Sequence, residues 1–183
     1  MRRRAERELL LEVRRGRREA CEELVRRHYE AIYRFLAYLT GDGSWADDLT
    51  QETFAAAWLG IGGFEGRSTV STWLHRIAYG KFVDGQRKNE RLGRLKSEWV
   101  REGQGSRESA GPEARLLEDE RSEELYQALR ELELKDHTLI VLHYLQEKSY
   151  REMAEILGEP TGTIKWRMSR ALQELQDRLN GRV

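Results

Sequence analysis

Apolar side chains recur at spacings of three and four residues through most of the chain, and this spacing limits the folds open to it. Val70, Trp73, Leu74 and Ile77 show the pattern in one segment. Such a period brings the apolar residues to one face of an α-helix. No segment alternates apolar and polar residues for long enough to form a convincing strand, and there are only two prolines. We therefore predict an all-α fold.

A polar segment divides the helical pattern into two parts. Residues 89–112, NERLGRLKSEWVREGQGSRESAGP, are rich in Gly, Ser and Arg and contain few candidates for a hydrophobic core. At 183 residues the chain is long enough for two small domains. We predict a helical domain over residues 1–88, a flexible linker over 89–112 and a second helical domain over 113–183.

The charges and the cysteine content narrow the function classes. Lys plus Arg number 32, as do Asp plus Glu, so any nucleic-acid site must be a local basic patch. No apolar run approaches the roughly 20 residues that a membrane span needs, and the amino terminus lacks a signal-peptide pattern. We expect a cytoplasmic protein without membrane insertion. The single Cys21 excludes an intramolecular disulfide and a cysteine-based metal cluster.

The sequence carries no recognisable catalytic motif. Its histidines, His28, His75, His137 and His143, are scattered, and neither H-E-x-x-H nor a phosphate-binding G-x-x-x-x-G-K-[ST] occurs. No nucleophile has an evident base beside it in the sequence. We expect a protein that is not an enzyme and that has no cofactor, metal site or small-molecule substrate.

Residues 149–175, SYREMAEILGEPTGTIKWRMSRALQEL, combine the signals of a helix-turn-helix. Ser149 and Glu152 have the spacing of a capping box, and Gly158 permits the positive φ of the turn. The outward face of the second helix is basic, as expected of a helix that lies in the DNA major groove. Its candidate DNA contacts are Thr163, Lys165, Trp166, Arg167, Ser169 and Arg170. The alternative is a helical hairpin whose basic face is only solvated.

Residues 46–58, ADDLTQETFAAAW, carry a second unusual surface. We predict a helix here, begun by an S-x-x-D capping pattern of Ser44 and Asp47. Apolar residues occupy one face of this helix, and polar residues at helical spacing occupy another. This polar strip consists of Asp48, Gln51 and Glu52. The strip is either an ordinary solvated face or the contact surface for a partner.

Four sequence blocks, in order along the chain, resemble those of a known family. The blocks are GRREACEELVRRHYEAIYRF, ADDLTQETFAAAW, STWLHRIA with the following Asp84 and Arg87, and the motif of residues 149–175. The chain resembles bacterial RNA polymerase sigma factors of the extracytoplasmic-function class. The resemblance implies a transcription initiation factor whose first domain, sigma region 2, docks on the polymerase and reads and melts the promoter −10 element. Its second domain, sigma region 4, would read the −35 element through the six candidate contacts above.

The same resemblance assigns partners. The polar strip, together with Phe54, would bind core RNA polymerase at the clamp coiled coil of its largest subunit. Complementary charge at such a surface gives specificity and fast association. Promoter DNA and an anti-sigma factor would be the other partners. The polymerase would hold the two domains at set positions, because a flexible linker cannot fix their spacing.

The −10 contacts implied by the resemblance lie in a glycine-rich loop and the helix after it. They are Phe64, Arg67, Trp73, His75, Arg76, Tyr79, Lys81, Arg87 and Lys88. Extruding a base from the stack costs a few kcal/mol, which a pocket and backbone contacts must offset. Trp73 is equally a candidate for the hydrophobic core.

Three positions depart from the family pattern. Gly80 stands where Asn is common, so one base contact expected of the family is not carried over. Cys21 stands where a larger aromatic residue is usual, and Trp166 where a small polar one is usual. Trp166 is therefore either a base or sugar contact or a partner surface. The competing function is a conventional helix-turn-helix regulator with an N-terminal sensing or dimerisation domain, which would not need the polar strip.

Overall fold

The computed structural model describes residues 2–99 and 120–181, which form helices joined by short turns. The N-terminal domain contains α1 (Arg2–Arg14), α2 (Arg18–Thr40), α3 (Gly43–Gly60), a 3₁₀ turn (Ile61–Gly63) and α4 (Val70–Trp99). The C-terminal domain contains α5 (Glu120–Arg130), α6 (Leu134–Ile140), a π-helical turn (Val141–Leu145), α7 (Tyr150–Leu157) and α8 (Thr161–Leu179). These ranges contain no strand, and the predicted all-α fold is confirmed. No helix within them combines the length and apolarity that crossing a bilayer requires.

The turn between α2 and α3 shows which residue caps α3. Gly41 ends α2 in the left-handed conformation, with φ of 64°. Asp42 then begins α3, and its carboxylate accepts hydrogen bonds from the backbone N–H groups of Ser44 and Trp45 at 2.9 and 3.1 Å. The predicted cap by Ser44 and Asp47 is wrong, because Asp42 already satisfies the free N–H groups of the first turn.

The core of the N-terminal domain lies where α2, α3 and α4 meet. Phe35, Leu74 and Phe82 are fully buried there, and each contributes about 1.5–3 kcal/mol by leaving water. The indole ring of Trp45 tilts against the ring of Phe82 with 5.7 Å between centroids. A Cβ at Gly85 would lie 3.2 Å from the Trp45 ring, so glycine lets α3 and α4 approach closely.

The C-terminal domain contains the predicted helix-turn-helix. Ser149 Oγ accepts from the backbone N–H of Glu152 at 3.3 Å, and the Glu152 carboxylate accepts from the backbone N–H of Ser149 at 3.0 Å. Gly158 ends α7 with φ of 69°. Ile164 and Met168 of α8 are buried in the domain core. The capping box, the left-handed turn and the second helix are thereby confirmed.

Helix α4 is longer than we predicted. It ends at Trp99, so residues 89–99, which we assigned to a flexible linker, continue the helix. This run is rich in Arg, Leu, Lys and Glu, which favour helix when no proline intervenes. Residues 100–112 of the predicted linker lie outside the described residues. The domain boundaries at residues 88 and 113 stay a prediction.

The two domains pack against each other where α4 meets α7 and the turn before it. The Nζ of Lys148 donates a hydrogen bond to Ser71 Oγ at 2.7 Å. The hydroxyl of Thr72 donates to Glu152 Oε1 at 3.0 Å. Lys148 is buried at this contact, and its burial lowers its pKa. The hydrogen-bonded ammonium of Lys148 therefore joins the two domains. The sequence pattern alone did not predict a contact between them.

Candidate functional site

The polar strip of Asp48, Gln51 and Glu52 faces solvent. All three residues are exposed, whereas Leu49 between them is buried in the core. Glu52 Oε2 lies 3.6 Å from the Nζ of Lys81 on α4. An exposed ion pair of this kind contributes less than about 1 kcal/mol, so Glu52 can exchange Lys81 for a group on a binding partner at little cost. The strip thus presents two carboxylates and one amide on a well-supported helix.

Phe54 lies beside the strip and is half-buried. Its ring stacks on the ring of Tyr29 from α2, with 6.1 Å between centroids and 12° between planes. This stacking ties α3 to α2 and leaves part of the Phe54 side chain exposed. The four predicted docking residues therefore lie within two turns of α3, the three polar ones exposed and Phe54 half-buried.

The glycine-rich loop after α3 is held closed on the domain. Arg14 donates to the carbonyl oxygen of Ile61 at 3.1 Å and to that of Phe64. The Phe64 side chain is only 7% exposed and packs on the Trp73 ring with 4.9 Å between centroids. Arg67 stays exposed and pairs with Glu65. In this arrangement Phe64 is a core residue, so the loop must open before Phe64 could stack on a base.

His75 does not face solvent, contrary to our expectation that it binds the DNA backbone. It is 1% exposed and lies at the contact between the domains. Its Nδ1 lies 2.7 Å from the Ser71 carbonyl oxygen, and its Nε2 lies 3.2 Å from Gln146 Oε1. Burial, together with the nearby Lys148, lowers the pKa of His75 to about 4. The imidazole is therefore neutral at pH 7 and cannot attract phosphate.

The other predicted −10 residues line α4 with graded exposure. Arg76, Arg87 and Lys88 are exposed, and Arg87 lies 3.9 Å from the Asp84 carboxylate. Half-buried positions hold Trp73, Tyr79 and Lys81. Because these three exposed residues are cationic, α4 retains a surface that can contact the sugar–phosphate backbone.

On α8 the structure separates the predicted −35 residues into two groups. Thr163, Lys165, Trp166, Ser169 and Arg170 are exposed. Trp166 is 62% exposed, and the Arg170 guanidinium stacks over its ring at 5.2 Å from the centroid. Arg167 belongs to the second group, because its side chain is only 13% exposed. The expectation that Arg167 lies on the outward face is therefore wrong.

Arg167 points inward because a buried carboxylate holds it. Its Nε donates to Asp136 Oδ1 at 2.8 Å, and Asp136, on α6, is 0% exposed. A second ion pair joins Arg167 to Glu133 at 2.9 Å, and this pairing lowers the pKa of Glu133. Arg170 also bonds to Asp136, from the exposed side. Asp136 was missed from the sequence; an acid inside the apolar segment LKDHTLIVL was the available signal.

A second domain that holds a helix-turn-helix with an exposed, largely polar face has the architecture of the helix-turn-helix class of DNA-binding proteins. Residues 24–92 match the family Sigma-70 region 2, and residues 122–175 match Sigma-70, region 4. RNA polymerase sigma factor YlaC of Bacillus subtilis is 33% identical over 159 residues, covering 87% of this chain and 91% of that protein. The ECF RNA polymerase sigma factor SigW of the same organism is 32% identical over 174 residues, covering 92% and 93%.

Solved structures agree with the sequence relatives. The sigma factor RpoE, solved in complex with the anti-sigma factor NepR from Bartonella quintana, has a TM-score of 0.69 and 28% identity, covering 87% of this chain and 96% of that one. CnrH, solved in complex with the cytosolic domain of CnrY, has a TM-score of 0.73 and 25% identity, covering 98% and 99%. The chain belongs to the sigma-70 family and is a transcription initiation factor of the extracytoplasmic-function class.

Proposed function

We propose that the polar strip with Phe54 is the surface that binds core RNA polymerase, at the clamp coiled coil of its largest subunit. The exposure of Asp48, Gln51 and Glu52 on one helix, beside the edge of an aromatic ring, supports this assignment. Carboxylates on a rigid helix attract a basic partner over a distance and fix its orientation on contact.

We further propose that α8 reads the −35 element with its exposed side chains. These are Thr163, Lys165, Trp166, Ser169 and Arg170. The indole of Trp166 carries the Arg170 guanidinium on its face, so a bulky pair would enter the groove together. Arg167 supports the helix from inside the domain and is not among the proposed contacts.

The −10 element would be read by the loop and the outer face of α4. Arg67, Arg76, Arg87 and Lys88 are the proposed backbone contacts, with Trp73, Tyr79 and Lys81 beside them. Contacts by Phe64 and His75 require the loop to open and the domains to separate, because both residues are buried in the packed arrangement. Region 2 would occupy residues 1–88 and region 4 residues 113–183, and α4 continues past region 2 to Trp99.

An anti-sigma factor is the proposed regulator, since the relative RpoE was solved with one. Such a partner could hold the domains together across the contact of α4 with α7. We propose that the protein acts in the cytoplasm with the polymerase, that its role is to recruit and position, and that it performs no chemistry of its own.

The exposed polar strip is the observation that carries this proposal, since a conventional regulator has no use for it. The test is in vitro transcription with sigma-free core polymerase on a genomic fragment library, with 5′ ends sequenced. The protein should give discrete start sites that share upstream motifs at fixed spacing.

The Asp48→Lys, Gln51→Lys, Glu52→Lys triple variant should abolish initiation and polymerase binding while its circular dichroism stays unchanged. Glu22→Lys, a charge reversal of an exposed acid on α2, is the matched control and should be active. Specific duplex binding by the protein alone, without initiation, would instead identify a conventional regulator.

A further inference from the structure

Asp47 lies next to the polar strip and is hydrogen-bonded on both of its oxygens. The Tyr29 hydroxyl donates to Oδ1 at 2.5 Å, and the Gln51 Nε2 donates to Oδ2 at 2.7 Å. Tyr29 belongs to α2, whereas Asp47 and Gln51 lie one turn apart on α3. The three side chains therefore form a chain of hydrogen bonds that begins at a tyrosine and ends at a member of the polar strip.

Tyr29 is itself fixed in position. Its ring stacks on Phe54 at 6.1 Å and on Tyr33 at 6.3 Å, with interplanar angles of 12° and 6°. The hydrogen bond to Asp47 raises the pKa of Tyr29, so the phenol stays protonated and remains a donor. The Asp47 carboxylate is thus fixed by a side chain of α2, and its side-chain torsions are restricted compared with those of a freely solvated aspartate.

The acceptor character of Asp47 determines how Gln51 is oriented. An ionised carboxylate can only accept hydrogen bonds, so the Gln51 amide must turn its N–H toward Asp47. The Gln51 carbonyl oxygen then points away from Asp47. A side chain held in one rotamer before binding loses less conformational entropy when it binds.

We propose that Tyr29 and Asp47 are positioning residues for polymerase docking, which act by holding the Gln51 carbonyl oxygen toward an N–H donor of the partner. This inference rests on the proposed function of the polar strip. The group recognised is an arginine, lysine or amide donor on the partner helix. Asp47, which the sequence pattern placed as the acid of a capping pattern with Ser44, instead links the aromatic stack to the docking surface.

The test is a double-mutant cycle on the affinity of the full chain for sigma-free core polymerase, measured by fluorescence anisotropy. Tyr29→Phe removes the hydroxyl and keeps the stacked ring. It should weaken binding about three- to tenfold in the natural sequence, and by less than about twofold in the Gln51→Ala background. Tyr38→Phe is the matched control, because within the described ranges the Tyr38 hydroxyl makes no hydrogen bond, and it should leave affinity unchanged.

A role in fold stability alone predicts a different pattern. Equal weakening by Tyr29→Phe in both backgrounds, or no weakening in either, would overturn the inference. Asp47→Ala provides a second variant, whose effect should also disappear in the Gln51→Ala background. The proposed function is tested separately by the triple Lys variant: if that variant still binds polymerase, the docking surface itself is wrong.

Discussion

Alanine variants of Arg167 and Lys165 should show that Arg167 stabilises the C-terminal domain and that Lys165 binds DNA. Arg167→Ala removes the contacts at 2.8 Å to Asp136 and 2.9 Å to Glu133. Removing one member of a buried ion pair costs about 3–5 kcal/mol. Asp136 keeps its contact with Arg170, so we expect a cost just below that range, about 2–3 kcal/mol. For a domain of this size the melting temperature should fall by about 10–20 °C.

Lys165, two residues before Arg167 on α8, offers the matched comparison outside that network. It is exposed and makes no ion pair within the described part of the chain. Lys165→Ala should therefore change the unfolding free energy by less than about 0.5 kcal/mol. It should weaken binding of the polymerase holoenzyme to promoter DNA and reduce the salt dependence by about one counterion.

Thermal unfolding by circular dichroism and promoter binding by anisotropy, measured well below the melting temperature, distinguish the two roles. Arg167→Ala should unfold early yet bind promoter with nearly natural affinity while it is folded. The reasoning fails if Arg167→Ala leaves the melting temperature unchanged and weakens promoter binding as Lys165→Ala does, since Arg167 would then contact DNA and not Asp136.

The buried imidazoles, the domain contact and the turn at Gly158 each affect a measurable stability or the separation of the domains. Burial lowers the pKa of His75 and His137 to about 4, so the unfolded chain binds more protons than the folded protein below pH 6.5. The free energy of unfolding should fall as the pH is lowered from 6.5 toward 4, by up to about 3 kcal/mol per imidazole. The urea midpoint of the His137→Gln variant should change less over this pH range than that of the natural protein. Ser71→Ala leaves the buried Lys148 ammonium without its acceptor, at a cost of about 1–3 kcal/mol. Energy transfer between one dye on each domain should then report a fivefold or larger rise in separated molecules, and an unchanged distribution would count against the contact. Gly158→Ala should lower the free energy of unfolding by about 1–2 kcal/mol, measured by thermal unfolding. The cause is the left-handed φ alone, because nothing lies within 4 Å of the added methyl group. Gly158→Asn should lower the free energy of unfolding by less.

The elements of the fold were predictable because their signals are local. Helical spacing, the capping box of Ser149 with Glu152 and the left-handed Gly158 each involve residues within a few positions of one another. The same holds for the polar strip, whose members share a face through helical geometry alone. The error at the start of α3 was local too: Ser44 was predicted to cap the helix with Asp47, and Asp42, two positions before Ser44, caps it instead.

What each functional side chain does was decided by the tertiary structure. Arg167 and Lys165 are both cations near the start of α8, and only the buried Asp136, 31 positions away from Arg167, distinguishes them. His75 is likewise withdrawn from solvent by a contact 71 positions away in the chain. The sequence by itself determined the helices, the turn and the family. Burial of a polar group depends on whether a distant segment supplies its hydrogen-bonding partner, so the exposure of each cation and imidazole emerged only when the helices packed.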